Sequence, residues 1–527
     1  MTSSPDEPRV AGSAAARTEG LASILSPDSP AIAQHPARVV RAAGMPAHTP
    51  HVPAVIVGGG ACGMTAGIRL RDAGIDCVVL ERDAVPGGST ALSSGFIPAA
   101  ETRLQKSRGI PDSLALFRRE IEVKSHGQAA PHLVLAYTEA VRQAIDALEA
   151  HGIAFEVADT WLYPGHSVHR IHCVPERTGA ALLAALGRVA AARGVDVLTE
   201  ALVREIWVAK RPEPGADRSA PASVRASVAA ASAAAFSDAD RIVGVGYQRP
   251  DGTVERLACD ALILACNGYG GNPALVRELL PAMADAAFGG HVGNDGSAIA
   301  WGRRLGARLA DLGGYQGHGS WIIPQGALMT WAAMMEGGVQ INAQGQRFHN
   351  ENHGYSEAAV EVLAQPGGIA WNVFDTSVLD LLQTFPDFVE AQAHGALHSF
   401  AGEAGLAAHI GCDETALHAT LAAIEPGVAD RFGRVFKRRL ATPLHAVKVT
   451  GSLFHTQGGL DIDAQCRVLR EDGTPLPNLL AAGGAARGVS GNAVWGYLTG
   501  NGLLSAVGGG WLAGGTVAAM LAQESSS

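Results

Sequence analysis

The sequence predicts an α/β chain built around a Rossmann-like dinucleotide-binding domain, and three features of residues 53–90 predict it. An apolar burst, Val55-Ile56-Val57, is short enough for a buried parallel strand and runs straight into Gly58-Gly59-Gly60-Ala61-Cys62-Gly63. A helical stretch from about Met64 to Ala73 follows and stops at Gly74. A second apolar run, Cys77–Leu80, then delivers Glu81, 23 positions after Gly58. A glycine-rich turn alone is common, but strand, turn, helix, strand and acid at this spacing together specify a dinucleotide site.

The residue types explain the chemistry. Gly58 permits the tight turn, Gly60 lets backbone approach a pyrophosphate, and Gly63 lets the helix pack on the strand. Ala61, Cys62 and Gly63 present free N–H groups and the positive end of the helix dipole to the phosphates. Glu81, with Arg82 beside it, can accept hydrogen bonds from the ribose hydroxyls of an adenosine. Gly87-Gly88-Ser89-Thr90 then adds a second glycine pair and two hydroxyls. An NAD site has no need of that second contact, whereas a longer FAD molecule extended along the sheet edge does.

At 527 residues, 47% hydrophobic and 17% charged, the chain can bury more than one core, so two domains are expected. A net charge of −10 argues against a nucleic-acid surface. Seven cysteines without a CxxC pair exclude an evident iron–sulfur, zinc or haem-attachment framework and fit a reducing, cytoplasmic setting. The C-terminal apolar run has small residues throughout, so no integral membrane segment is expected. Residues 1–50, rich in Ala, Pro and Ser, read as a disordered extension with Met45 as an alternative start, and 210–240 reads as a low-complexity surface insertion. Helices are expected over Pro131–Ala150 and over Thr178–Arg193, the latter N-capped by Thr178 and followed by a strand, Val195–Thr199. Arg241–Tyr247 and Val254–Leu257 flank Asp251-Gly252 as a hairpin. Ala261–Cys266 reads as a buried strand ending in Asn267-Gly268-Tyr269-Gly270-Gly271-Asn272.

That ending is similar to the ATGGFGGN stretch of the FAD-binding subunits of the fumarate reductase and succinate dehydrogenase superfamily, and the fingerprint and Gly87-Gly88 loop resemble theirs as well. Soluble members include fumarate reductases, urocanate reductases and 3-ketosteroid dehydrogenases. The resemblance covers about residues 53–523 and implies a glutathione-reductase-like FAD domain, 51–272 and 444–523, with an inserted α+β substrate-capping domain over 273–443. Members that link FAD covalently carry a histidine near the second glycine loop; Ser89 stands there, so the resemblance implies non-covalent FAD. It also places Ser94, Gly95 and Gly484 at the cofactor. Gly500-Asn501-Gly502-Leu503 opens a last helix whose N–H groups would face the pyrimidine end of the flavin.

Three segments carry the expected chemistry. His318 and Thr330 fall where fumarate reductases supply a histidine and a threonine to a substrate carboxylate. After Arg347-Phe348-His349-Asn350-Glu351, Tyr355 stands where those reductases carry a proton-donating arginine and ketosteroid dehydrogenases a tyrosine. A phenol, with an ordinary pKa of about 10, suits a C–H acid better than a carboxylate at about 4, and can act as acid one way and phenolate base the other. His455, in a run similar to the HTxGG motif, matches a substrate-contacting histidine. The second carboxylate-binding arginine is absent from Ala493-Val494-Trp495-Gly496-Tyr497, which deprives a dicarboxylate of its guanidinium fork. Arg487 is left to reach in from its own position, Trp495 and Tyr497 suggest a flatter, more apolar pocket, and Tyr497 lies near the ketone-polarising tyrosine of ketosteroid dehydrogenases.

The chain thus reads as an FAD-dependent oxidoreductase of CH–CH bonds beside a carbonyl, by desaturation or ene reduction of a small-molecule substrate, with an external electron carrier. The alternative is a fumarate- or urocanate-type reductase of unsaturated acids. A flavin monooxygenase would carry a GD motif where Gly483-Gly484 ends without an Asp, and a non-catalytic FAD-binding protein would not need His318, Tyr355 and His455 together.

Overall fold

The computed structural model describes residues 30–159, 162–210 and 240–526. Two sheets organise them. The larger has a parallel centre, in which His51–Val57 lies between Cys77–Leu80 and Val254–Leu264. Val55 and Ile56 pair with Val78 and Val79 on one side and with Leu262 and Ile263 on the other. Strands covered on both faces need continuous apolar runs, as these have. Asp196–Leu198 extends the sheet past Cys77–Leu80, and Pro475–Ala481 joins it beside Leu262–Leu264. The helices Ala61–Asp72, Pro131–Ala150 and Gly179–Ala192 form where expected, and the Thr178 hydroxyl caps the third by accepting from the Ala181 N–H. Asp240–Gln248 and Val254–Leu264 make the expected hairpin.

The N-terminal expectation is corrected from residue 30 onward. Pro30–Ala33 is a short helix with Ile32 buried, and Arg38–Arg41 is a parallel edge strand on Leu202–Lys210. Arg304 clamps this segment by donating to the carbonyls of Ile32, His35 and Ala37. Its partners are more than 160 residues away, so local composition does not reveal its order. A chain beginning at Met45 would lack this strand. Residues 1–29, and 211–239 of the expected insertion, lie outside the described residues; the paired ends Lys210 and Asp240 show where the insertion leaves the sheet.

The second sheet is mainly antiparallel and is built on Leu444–Thr456, flanked by Tyr315–Ile322 and Ile369–Asp375. This corrects both inner boundaries. Leu444–Thr456, expected to open the return to the FAD domain, has all its pairing in the cap sheet. Conversely, Leu275, Ile299, Trp301 and Leu305 share the core of Val55 and Ile56, so the stretch after 273 packs with the nucleotide domain. The cap has its own cores, one around Ile322, Trp331 and Phe374 and another around Val339, Trp371 and Leu406.

The last helix opens at Asn501, makes a π-helical turn over Leu504–Gly508 and runs to Ser526. Its Asn501–Glu524 stretch is long and apolar enough to cross a membrane by length and composition, yet 61% of its most apolar window is buried in the protein. Glycine makes that burial possible. A Cβ at Gly510 would lie 2.3 Å from the Cys62 carbonyl oxygen and one at Gly514 2.6 Å from that of Ala66, so the helix meets Ala61–Asp72 backbone to backbone.

Candidate active site

The glycine turn lies at the C-terminal ends of the parallel strands, where an open α/β sheet forms a crevice. A cleft starts there, with about 830 Å³ of empty space when the open solvent at its mouth is included, and Gly58, Gly60, Ala61, Cys62, Glu81, Arg82, Gly88, Ser89, Thr90 and Gly484 line it. Gly58 has φ +110°, and a Cβ on Gly63 would lie 1.9 Å from the Gly58 carbonyl oxygen, so both positions require glycine. Glu81 accepts from the N–H groups of Gly59 at 2.8 Å and Asp83 at 2.9 Å, so it holds the turn while its carboxylate faces the cleft. Thr90 Oγ1 accepts from the Ala61 N–H at 3.0 Å. Burial pushes the Cys62 thiol up to about 12, which makes it a packing residue rather than a nucleophile.

Ser89 is pinned by two amides: Asn267 and Asn294 each donate to its Oγ at 2.9 Å. Asn267 has φ +64°, a region that Asn tolerates better than most side chains. A Cβ at Gly484 would lie 2.1 Å from Asn267 Oδ1, so that glycine keeps room for the amide. Both asparagines escape sequence reasoning as site residues; the glycine-rich stretch after Cys266 signals the first, and nothing local marks the second. Gly63, Gly87, Gly95, Gly500, Asn501 and Leu503 do not line the cleft. Gly95 and Gly500 hold positive-φ turns packed on Thr178 and Pro98, and Asn501 donates to Ser490 Oγ. Ser94 is exposed, and Ser93 instead accepts the Gly95 N–H. The site fits FAD: a Cβ at Gly88, which lines the cleft, would meet no protein atom within 4 Å, and Asn501 Oδ1 and Ser505 Oγ are buried without a partner at the opening of the last helix.

A second set of side chains converges where the cap sheet meets that opening. The strand Tyr315–Ile322 delivers His318, Leu444–Thr456 delivers Phe454 and His455, and the helix Tyr355–Leu363 begins on Tyr355. His318 stacks on Tyr355 at 4.9 Å between centroids, Tyr355 meets Tyr497 edge-on at 6.2 Å, and Tyr497 meets His455 at 5.6 Å. Trp331 and Phe454 close on His318 at 5.7 and 6.1 Å. A Cβ on Gly502 would lie 2.9 Å from His455 Nε2, which places that imidazole against the start of the last helix. Four of the five expected catalytic residues therefore meet.

Thr330 does not join them. Its hydroxyl accepts the Ala332 N–H at 3.3 Å, a local turn bond, and its neighbour Trp331 is the one that reaches His318. Trp331 is held by donating from Nε1 to the Glu351 carbonyl at 3.0 Å, and the fully buried Glu351 carboxylate is paired with Arg347 at 2.5 Å and Arg434 at 2.8 Å. The Arg347–Glu351 run is thus scaffold beneath the aromatic cluster. Thr499 and Tyr163 are missed by sequence reasoning: Tyr355 Oη donates to Thr499 Oγ1 at 3.1 Å, and Tyr163 lies close enough to disfavour ionisation of Tyr355.

Burial governs the electrostatics. It pushes His318 down to about 3 and His455 down to about 4, and it pushes the Tyr355 and Tyr497 phenols upward. No arginine or lysine is among the leading causes of these four shifts; the charged neighbour is Glu357, which raises Tyr355 further and is paired with Lys124. At neutral pH all four are uncharged, so Tyr355 rests as a phenol, and burial disfavours the phenolate anticipated for the oxidative direction. Two further expectations are corrected. Arg487 does not reach in, because Asp311 at 2.6 Å and Asp461 at 3.5 Å hold its guanidinium. Trp495 stacks on His126 at 4.1 Å instead of lining the cluster.

The FAD binding domain family matches residues 54–503. An NADH:fumarate oxidoreductase of Klebsiella pneumoniae is 28% identical over 446 residues, 83% of this chain and 44% of that protein, so the chain spans less than half of its length. A fumarate reductase (cytochrome) of Shewanella frigidimarina is 26% identical over 84% of this chain and 74% of its own. A 4-oxocyclohexanecarboxylate 2-dehydrogenase of Sinomonas cyclohexanicum is 25% identical over 82% of this chain and 87% of its own. In fold, the open conformation of a flavocytochrome c3 fumarate reductase matches with TM-score 0.71 at 22% identity, covering 89% of this chain and 78% of that one. A 3-ketosteroid Δ1-dehydrogenase of Sterolibacterium denitrificans matches with TM-score 0.70 at 19% identity, covering 89% and 100%.

Proposed function

The chain belongs to the FAD binding domain family of fumarate reductase and succinate dehydrogenase flavoproteins, and we propose that it is an FAD-dependent oxidoreductase of CH–CH bonds beside an uncharged carbonyl, with cyclic ketones as the first substrate class. The observation that carries this reading is the neutral cluster of His318, Tyr355, His455 and Tyr497, in which no arginine or lysine is among the leading causes of any member's shift. FAD, when bound, supplies the donor or acceptor of the hydride at the β carbon. Ser89 in place of a linking histidine supports FAD held without a covalent bond, and an external carrier supplies or removes the electrons.

The chain's own residues handle the carbonyl and the proton. His318 Nδ1 accepts the Ser320 N–H at 3.1 Å, which leaves the imidazole proton on Nε2. His455 Nδ1 lies 3.1 Å from the Gln457 amide nitrogen and 3.4 Å from the Thr456 carbonyl. Ser490 donates to Gln457 Oε1 and so turns the amide N–H toward the ring, and this shorter contact makes Nδ1 the acceptor and puts the proton on Nε2. Two neutral imidazole donors and the Tyr497 hydroxyl can polarise a ketone oxygen without demanding a negative charge. Tyr355, a phenol at rest, is prepared to give a proton to the α carbon, which suits ene reduction; desaturation is the same path reversed.

By similarity alone the relatives favour the second reading, reduction of an unsaturated acid, because the first two are named for fumarate. The relative named for 4-oxocyclohexanecarboxylate supports the ketone. The distinguishing test is anaerobic and uses the flavin's visible band. Cyclohexanone and 4-oxocyclohexanecarboxylate are expected to bleach the oxidised protein, or cyclohex-2-enone to restore colour to the dithionite-reduced protein. Recolouring by fumarate or urocanate, with ketones and enone inert, would replace the ketone reading with the acid reading.

A further inference from the structure

We propose that Thr499 is a positioning residue for proton transfer by Tyr355, its hydroxyl accepting from the phenol at rest and turning to donate to the oxygen once the proton has left. This rests on the reading of Tyr355 as the proton-transfer residue and identifies the group that makes the transfer possible inside a buried site.

The observations converge on one hydroxyl. Tyr355 is buried and its Oη donates to Thr499 Oγ1 at 3.1 Å, so the phenol has a built-in partner. The stack on His318 at 4.9 Å sets the plane of the Tyr355 ring, and Thr499 then sets the direction of its O–H. The Thr499 backbone is itself fixed. Its carbonyl accepts from His166 Nε2 at 3.0 Å, and it precedes Gly500, whose φ of +89° packs against Pro98, where a Cβ would lie 2.6 Å from the proline ring. What stays free to turn is the hydroxyl rotor.

In the reductive direction hydride addition at the β carbon breaks the C=C π bond and leaves its electron pair on the α carbon. That pair takes the Tyr355 proton to form the new C–H bond, and the electron pair of the broken O–H bond stays on Tyr355 Oη. The charged neighbour that bears on Tyr355 is the Glu357 carboxylate, which opposes that negative charge and occupies Lys124. A charge-assisted hydrogen bond from the Thr499 hydroxyl is the stabilisation the site offers, at no cost in reorganising the backbone. The Thr499 O–H bond is not broken. In the reverse direction the same bond supports the oxygen while it collects the α hydrogen. His166 acts one step further out, as the donor that holds the Thr499 carbonyl.

The test isolates the proton step by following exchange of the α hydrogens of cyclohexanone or 4-oxocyclohexanecarboxylate with solvent deuterium, by NMR, on the FAD-loaded oxidised protein. Thr499→Val is expected to slow exchange about 10- to 100-fold, the loss of one charge-assisted hydrogen bond, with ketone affinity, flavin content and melting temperature unchanged. Thr499→Ser, which keeps the hydroxyl, restores exchange. Exchange abolished by Tyr355→Phe but unaffected by Thr499→Val would overturn the role of Thr499 and leave that of Tyr355 standing. Slow exchange in both Thr499→Val and Thr499→Ser would mark a packing role and overturn the proposal as well. Exchange that survives Tyr355→Phe, or no exchange by the unaltered protein, would overturn the Tyr355 reading and the inference with it.

Discussion

Acid should destabilise this protein in a window set by its buried histidines, four of them nearly closed to solvent and a fifth, the half-buried His455, adding to them. Burial holds His166, His172 and His349 at about 4 and His318 at about 3, each below an ordinary value of 6.5, and in all four the largest cause is loss of solvation of the imidazolium. Each is neutral in a hydrogen-bonded place: His166 on the Thr499 carbonyl at 3.0 Å, His172 on Thr102 at 2.9 Å, His349 on Gln340 at 2.8 Å, His318 on the Ser320 N–H at 3.1 Å. Because the folded values lie below the unfolded ones, the unfolded chain binds more protons between them. Stability from these groups is therefore complete above about pH 6.5 and is lost as the pH falls toward about 4. One group removes about 1.4 kcal/mol per pH unit, and four remove about 5 kcal/mol per unit, against a total of roughly 5–15 kcal/mol for a folded domain. Urea unfolding of the FAD-loaded protein, followed by tryptophan fluorescence, should show a steep loss between about pH 6.5 and about pH 5. His318→Asn should lower that slope by about one proton's worth, about 1.4 kcal/mol per unit. Equal stability at both ends of the window, or an unchanged slope in His318→Asn, would refute the claim that burial keeps these rings neutral. The same neutrality leaves His318 without a charge to offer a carboxylate at physiological pH, so this measurement also bears on substrate class.

Three further outcomes follow from particular contacts. Ser89→Ala leaves the Asn267 and Asn294 amides without their acceptor, and FAD titration should show affinity weakened about 10- to 100-fold; unchanged affinity would remove Ser89 from the cofactor site. Arg487→Gln strands Asp311, while Asp461 keeps Arg308 at 2.7 Å, and should lower stability by about 2 kcal/mol, a value reduced for partial exposure, with no change in KM for the active ketone. A raised KM with unaltered unfolding would restore Arg487 as a substrate ligand. Thr330→Val should leave turnover and KM within about twofold, since its hydroxyl serves a turn; a tenfold rise in KM for an acid substrate would show that it reaches a carboxylate after all.

Much of the fold was legible because its signals are local. The Gly58–Gly63 turn between Val55-Ile56-Val57 and its helix, the Thr178 cap and the Asp251-Gly252 hairpin are each written within a dozen residues, and each depends on backbone conformation or a nearby hydrogen bond. The cap was harder. Leu444–Thr456 has no local mark that assigns it to one sheet or the other, and only its pairing with Ile369–Asp375 and Tyr315–Ile322 decides. Arg38–Arg41 looked like disordered chain because its partner, Glu205–Val208, is remote.

The catalytic candidates divide in the same way. His318, Tyr355, His455 and Tyr497 sit in motifs whose residue types already suggest proton and carbonyl chemistry. By itself the sequence determined which side chains were available, two phenols and two imidazoles, because residue identity sets the possible charges. Only the tertiary structure decided which of them meet, that Thr499 partners Tyr355 while Thr330 and Trp495 stand aside, and that Arg487 belongs to Asp311 and Asp461. It also decided that all four rings are neutral. Desolvation and hydrogen-bond partnership depend on what lies within a few ångströms in space, and chain neighbours supply little of that for strands and turns drawn from opposite ends of the molecule.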